Sequence, residues 1–412
     1  MNEILSFWAQ WLRPSAGLPT VQWSLLLAVA AIAGYLCQRH TGLPKVVGYS
    51  LVGTAAGLAG FSGAVWPLQG IGLFLLELGI SIVLFECGGR IPLRWFRHNP
   101  MVLVQSMAES ALTYFAVYWV LVWLDMPAHV AGPLALVALA ASPAVLTRVV
   151  ADTRAAGPVT ERAIVLATLS TLYALTLGSA RAEQINRQSV TLLDTMYPVV
   201  VVLGVSIIVA AVLSLALRMA LRFMSPTSEN TSMLLLALIA AATAVAAHMG
   251  GSAPLAALLG GMLLKQLNPR PWAWPRQLGN ASSLLTMLMF VLVSTVAAQA
   301  DWSGPVAGVV LTLIAVRLAA KAVGVGLGNV GSGASWRQAL WVGCAMTPMS
   351  SIALLIASQF VVASPSTGYQ IASVALPAIL LMEVLGAVIA TVAIYRAGES
   401  SKPWAPLLRG GR

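Results

Sequence analysis

The chain has 412 residues, 59% of them hydrophobic and 9% charged, with a formal net charge of +10. Mean hydropathy is +0.86. A water-soluble domain carries about 25% charged residues, so this composition excludes a soluble protein and implies an all-α polytopic membrane protein. The 13 Trp fit that class.

The first residues, MNEILSFWAQWLRPSAG, lack a basic stretch followed by an apolar core and a small-residue cleavage site. No cleaved signal peptide is expected, and residues 1–21 read as a segment outside the membrane. A spanning helix needs about 20 apolar residues. Thirteen such runs follow in order, near 22–39, 45–62, 69–88, 101–124, 129–151, 160–179, 194–222, 232–248, 252–266, 282–300, 304–328, 338–362 and 369–395. The ninth is short and borders Gly250-Gly251. Residues 396–412, RAGESSKPWAPLLRGGR, form a tail too short for a nucleotide-binding domain. GLGNVGSG, at 326–333, reads as a turn at the membrane edge.

Basic residues orient these runs. With the N-terminus outside, all but three of the 23 Lys and Arg fall at cytoplasmic ends and loops or, for Arg317 and Lys321, within the eleventh run. Only Arg13, Arg181 and Arg187 lie outside. This asymmetry supports an odd number of spans and an N-out, C-in chain. It also accounts for the positive charge by anionic lipid at the cytoplasmic face, so no nucleic-acid partner is expected. Cys37, Cys87 and Cys344 are isolated in apolar runs. They read as small buried hydrophobes, with neither disulfide nor metal spacing.

Two runs share an interruption. The fifth contains ALAASPAVLTRVVA and the twelfth CAMTPMSSIALLIA, each with a hydroxyl before a mid-span proline: Ser142-Pro143 and Thr347-Pro348. Proline deletes a helix hydrogen bond and clashes with the preceding turn. In lipid, the freed carbonyls must be satisfied by protein or by a wet cavity. The two runs are seven apart in order, so they point in opposite directions. The same offset pairs runs one to six with eight to thirteen and leaves the seventh as a linker. An inverted repeat with matched broken helices is a sequence signature of secondary transporters.

At these residues the chain resembles the monovalent cation/proton antiporters, in the branch of sodium/hydrogen exchangers and glutathione-gated potassium efflux proteins. CQRHTGLPKVVGYSLVGTAAG, LLELGISIVLFECGGRIPLRW, AASPAVLTRVVADTRAAGPVTER, ALWVGCAMTPMSSIALLIAS and LLMEVLGAV carry the likeness, in order, over about residues 25–395. The resemblance implies a first repeat over 22–179, a linker helix at 194–222 and a second repeat over 232–395. It also implies a panel domain (runs one to three and eight to ten), a core domain (four to six and eleven to thirteen), elevator-like alternating access and a homodimer. The setting it implies is a bacterial inner membrane.

The same resemblance exposes an absence. The family carries an acid in the middle of the sixth span, because exchange of H⁺ for Na⁺ or K⁺ needs one group that binds either ion. A partly buried carboxylate does this. Here the sixth run reads LATLSTLYALT, with Ser170 and Thr171 at the acid's place and no Asp or Glu between Glu161 and Glu183. Hydroxyls can coordinate Na⁺ but cannot exchange a proton near neutral pH. Four acids lie within runs: Glu77, Glu86, Glu109 and Glu383. The likeness makes Glu77 structural and matches Glu383 to a family Asn-Glu motif rather than to the ion site. Glu109, two turns into the fourth run, is the best substitute. Arg317 and Lys321 lie one turn apart on one helical face, and either matches the family's basic residue. Its expected partner is Glu109 or Glu383. His248 reads as a wet interfacial residue.

No phosphate-binding fingerprint, metal cluster or catalytic constellation is present, so neither an enzyme nor a cofactor is expected. The leading reading is a monovalent cation/proton antiporter. Its competitors are a transport-inactive relative acting as a membrane partner or sensor, and a carrier of another small solute drawn to Arg317 and Lys321.

Overall fold

The computed structural model describes residues 18–61, 66, 70–91, 93–187, 192–225, 228–268, 276–300, 302–349 and 351–402. Arg13, Arg270, Arg409 and Arg412, placed by charge above, lie outside them. So do most of the N-terminal segment and of the tail.

The described residues are helical, with no strand among them and one isolated bridge between Ala155 and Ser400. In chain order the helices are α1 (Leu18–Thr41), α2 (Lys45–Leu58), α3 (Gly70–Gly89), the short α4 (Leu93–His98), α5 (Pro100–Trp123), α6 (Ala128–Leu139), α7 (Pro143–Thr153) and α8 (Pro158–Arg187). There follow α9 (Leu192–Phe223), α10 (Glu229–His248), α11 (Ala253–Leu267), α12 (Arg276–Ala297), α13 (Gly304–Leu327), α14 (Trp336–Ala345), α15 (Ser351–Ala363) and α16 (Pro365–Arg396). By length and apolar composition, 8 segments among the described residues can cross a membrane. The fifth and twelfth runs are each two helices, split at their prolines. The sixth extends eight residues past its expected end, to Arg187.

Helices from the two halves pack on one another: α3 against α11, α5 against α13, and α2 against α12. Close approach rests on small residues, as expected where lipid supplies no hydrophobic drive between helices. Gly88 of α3 faces the Leu258 carbonyl and Gly261 of α11 faces the Phe85 carbonyl, with no room at either for a Cβ.

One end of the bundle is tied by polar contacts. The Asp152 carboxylate accepts from the Lys45 N–H, 3.0 Å, at the start of α2. Arg148 of α7 donates to Ser283 and Thr286 of α12, at 2.9 and 3.2 Å. Beyond α16 the chain turns back, and the Glu399 carboxylate accepts from the Val159 and Thr160 N–H groups, both 2.7 Å, and from the Thr160 hydroxyl, 2.6 Å. An anion on the first free N–H groups of α8 is where a helix terminus favours one. The cysteines need correction: Cys87 is buried, but Cys37 and Cys344 are half-buried.

Candidate functional site

The site grows from the two breaks. Pro143 lacks an N–H and forces the residue before it out of the helical region. Ser142 accordingly has φ −117 and ψ 91, and its Oγ accepts from the Val145 N–H at 3.3 Å, capping α7. Thus α6 stops at Leu139 and α7 starts at Pro143. The second break follows α14, where the Thr347 hydroxyl turns back to the Cys344 carbonyl, 2.8 Å, and Pro348 prevents continuation.

Each break leaves carbonyls without helical partners, at a helix terminus that bears partial negative charge. Arg317 of α13 fills both. Its Nε donates to the Ala138 carbonyl at 2.7 Å and its Nη2 to that of Ala140 at 2.8 Å. Nη1 donates to the Thr347 carbonyl at 2.5 Å, and Nη2 also reaches that of Pro348 at 3.5 Å. The side chain is fully buried. The planar five-donor fork suits this work, which a single ammonium could not do. Because one guanidinium reaches both, the two breaks meet at the same point in the bundle.

One turn along α13, Lys321 meets Glu109. Its Nζ lies 2.5 Å from Glu109 Oε1, with both side chains fully buried. Lys321 also donates to the Leu139 carbonyl, 3.2 Å, and to Ser170 Oγ, 3.4 Å. The carboxylate further accepts from Ser110 at 3.1 Å and Thr113 at 3.2 Å. This contact needs α5 and α13 to touch, and Gly324 permits it: a Cβ there would stand 2.6 Å from the Glu109 Cα.

The hydroxyls of α8 face the first break. Ser170 donates to the Leu139 carbonyl at 2.9 Å. Thr171 Oγ1 lies 3.1 Å from the Ala141 carbonyl and 2.8 Å from that of Ala167. Neutral donors thus satisfy carbonyls of the break where the resemblance leads one to expect an acid.

Nine candidates from the sequence, Glu109, Ser142, Pro143, Ser170, Thr171, Arg317, Lys321, Thr347 and Pro348, therefore gather around the two breaks. The tenth, Glu383, has its Oε2 accepting from Ser294 of α12 at 2.7 Å. Gln105, unremarked in the sequence, joins α5 to α13 through the Val325 carbonyl, 2.8 Å. A lone amide in an apolar run was the available signal. His248 is exposed, and Glu86 pairs with Arg90 at 2.6 Å. A cavity of about 630 Å³ opens beside α3, α8, α9 and α15, with Glu77, Glu183 and Gln359 on its wall.

Comparison with known proteins bears on this arrangement. The model of the transmembrane sodium/hydrogen exchanger family matches residues 27–395. The structure of the sodium proton antiporter MjNhaP1 from Methanocaldococcus jannaschii at pH 8 superposes with a TM-score of 0.70 at 14% identity, covering 92% of this chain and 98% of that one. The electron-microscopy structure of the same antiporter gives 0.71 at 14% identity, covering 95% and 100%. At such identity the likeness is one of fold. No curated protein matches the chain.

Proposed function

The chain belongs to the transmembrane sodium/hydrogen exchanger family, and on that premise we propose that it exchanges a monovalent cation, Na⁺ or K⁺, for protons by alternating access. Family and fold are those of a secondary transporter, not an enzyme. The observation that carries the proposal is the buried Glu109–Lys321 pair, 2.5 Å long and in contact with Ser170.

A buried charge without a partner is strongly unfavourable. Glu109 therefore needs one positive charge beside it, and either the Lys321 ammonium or a bound cation supplies it. A cation that reaches Glu109 displaces Lys321 from it, with the Ser170, Ser110 and Thr113 oxygens as further ligands. Lys321, left without its partner, gives up a proton rather than remain a buried charge. Departure of the cation reverses the step. Glu109 with Lys321 does by competition what a single proton-binding acid does in the sixth span.

The same reading takes the chain as thirteen spans with the N-terminus outside, supported by the distribution of Lys and Arg. Residues 22–179 and 232–395 are its inverted repeats, 194–222 the linker helix, 1–21 a periplasmic segment and 396–412 a cytoplasmic tail. A homodimer in a bacterial inner membrane completes it. The packing of α3 on α11, α5 on α13 and α2 on α12 supports a repeat.

The test is proton release in proteoliposomes containing a pH-sensitive dye, on addition of Na⁺, K⁺ or Li⁺. Wild type is expected to respond to Na⁺ or K⁺, and Glu109→Gln is not. One observation favours a second reading, that of a transport-inactive relative: Arg317 already holds carbonyls at both breaks that a cation could use. Silence of wild type to all three ions near neutral pH sinks the first reading in favour of this one.

A further inference from the structure

Two cavities adjoin toward the end of α8 remote from its Glu399 cap. The larger, about 780 Å³, lies between α5, α8 and α9, and its wall is almost wholly apolar, with Met107, Ala111, Phe115, Leu172 and Leu177 on it. Ala111, Phe115 and Leu177 are exposed on the outside of the bundle, so this groove opens toward the bilayer. The smaller, about 420 Å³, is polar-edged and bounded by Tyr114, Tyr118, His129 and Arg181. Tyr114, Leu136 and Arg181 line both cavities, which sets a cationic end beside an apolar one.

Two further observations say what fits. Arg181 is exposed and donates Nη1 to Gln184 at 3.0 Å, which leaves other donors of its guanidinium for a ligand. Thr176, only 5% exposed, lines the groove, and its Oγ1 has no hydrogen-bond partner among the described residues. Buried hydroxyls are nearly always partnered, so this one has a donor to spare for a ligand in the groove. Thr176 lies five residues before Arg181, about 7.5 Å along the helix at 1.5 Å per residue. From Arg181 to Leu172 the groove runs about 13.5 Å on the same rise, close to half of the ~30 Å hydrocarbon core.

We propose that this space holds a glycerophospholipid of one leaflet. Its phosphate sits at Arg181 between Tyr114 and Tyr118, an ester oxygen accepts from Thr176, and an acyl chain lies along Ala111, Phe115 and Leu172. Charge complementarity at Arg181 favours an anionic headgroup. The chain packs on the back of the buried ion pair, since Ser110 and Leu139 also line the groove. This inference does not depend on which ion is carried, or on whether any is.

The experiment is native mass spectrometry of the purified full chain in detergent, titrated with phosphatidylglycerol. Wild type is expected to retain one lipid per chain. Arg181→Gln weakens retention about tenfold, the scale of one lost charge-assisted hydrogen bond. Thr176→Val weakens it about fivefold, the scale of one neutral hydrogen bond, yet melts no earlier than wild type in lipid-free detergent. Ala111→Trp fills the groove from an exposed position and abolishes retention. Unchanged retention in Arg181→Gln and Ala111→Trp overturns the proposal. So does an equal rise in melting temperature with inorganic phosphate alone, which would assign the polar cavity to a free anion.

Discussion

Replacing Glu109 with Gln keeps the shape of the side chain and removes its charge. Lys321 then has no counter-charge, only neutral acceptors such as the amide oxygen, the Leu139 carbonyl and the Ser170 hydroxyl, the last two at 3.2 and 3.4 Å, and stays fully buried. Arg317 lies one turn away, so two cations remain where one carboxylate balanced them. Breaking a buried ion pair by removing one partner costs about 3–5 kcal/mol, because the survivor is uncompensated. Lys321→Met is expected to cost a similar amount, since Glu109 would keep only its bonds from Ser110 and Thr113. The double variant Glu109→Gln/Lys321→Met restores neutrality with side chains of similar volume. Its loss is therefore expected to fall to about 1–2 kcal/mol, leaving a coupling of several kcal/mol. Unfolding of the purified chain in mixed micelles, followed by circular dichroism, measures the cycle. Cation-evoked proton release in proteoliposomes is read in parallel, and the double variant regains stability without regaining exchange. Additive stability losses, or a double variant that still exchanges, refute the assignment of Glu109 and Lys321 as a coupled pair with a transport role.

Other substitutions probe the frame around that pair. Arg317→Met leaves the Ala138, Ala140 and Thr347 carbonyls without their shared donor. Buried unsatisfied groups cost about 1–3 kcal/mol each, so size-exclusion chromatography should find little monodisperse protein, with partial recovery in Arg317→Lys. Gly324→Ala pushes α13 from the Glu109 backbone and is expected to cost about 1–3 kcal/mol in overpacking. Gly308→Ala, where nothing lies within 4 Å, should melt as wild type does. Glu399→Gln weakens the cap on α8 by about 1 kcal/mol, seen as faster amide hydrogen exchange at Val159 and Thr160.

Much of the frame was legible in one dimension. Apolar runs of membrane length can hardly be anything but helices, and Pro143 and Pro348 mark breaks because proline cannot donate. The lack of any carboxylate between Glu161 and Glu183, around Ser170 and Thr171, was legible too. What the hydroxyls do was not, since their acceptors at Leu139 and Ala141 lie about 30 residues away on another element. The sequence narrowed the buried cation's partner to Glu109 or Glu383. Choosing between them needed a contact across 212 residues of chain, made possible by a glycine whose purpose shows only when two helices touch. Glu399 was illegible for another reason: an acid in a short polar tail looks like any solvated acid until the helix it caps is in view.

The charges at the breaks explain why a neutral sixth span can be stable here. Each helix end presents carbonyl dipoles equivalent to roughly half a negative charge, and Arg317 neutralises both at once. A carboxylate at position 171 would sit at this same junction, since Thr171 and Arg317 bond the adjacent carbonyls of Ala141 and Ala140. It would compete with those carbonyls for the guanidinium. With a hydroxyl there instead, Arg317 remains committed to holding the broken helices together, and the carboxylate beside Lys321 is that of Glu109. On the proposed reading, the hydroxyls of α8 and the burial of a carboxylate beside Lys321 belong together: the negative charge lies on α5, behind the break, and is paired with a lysine.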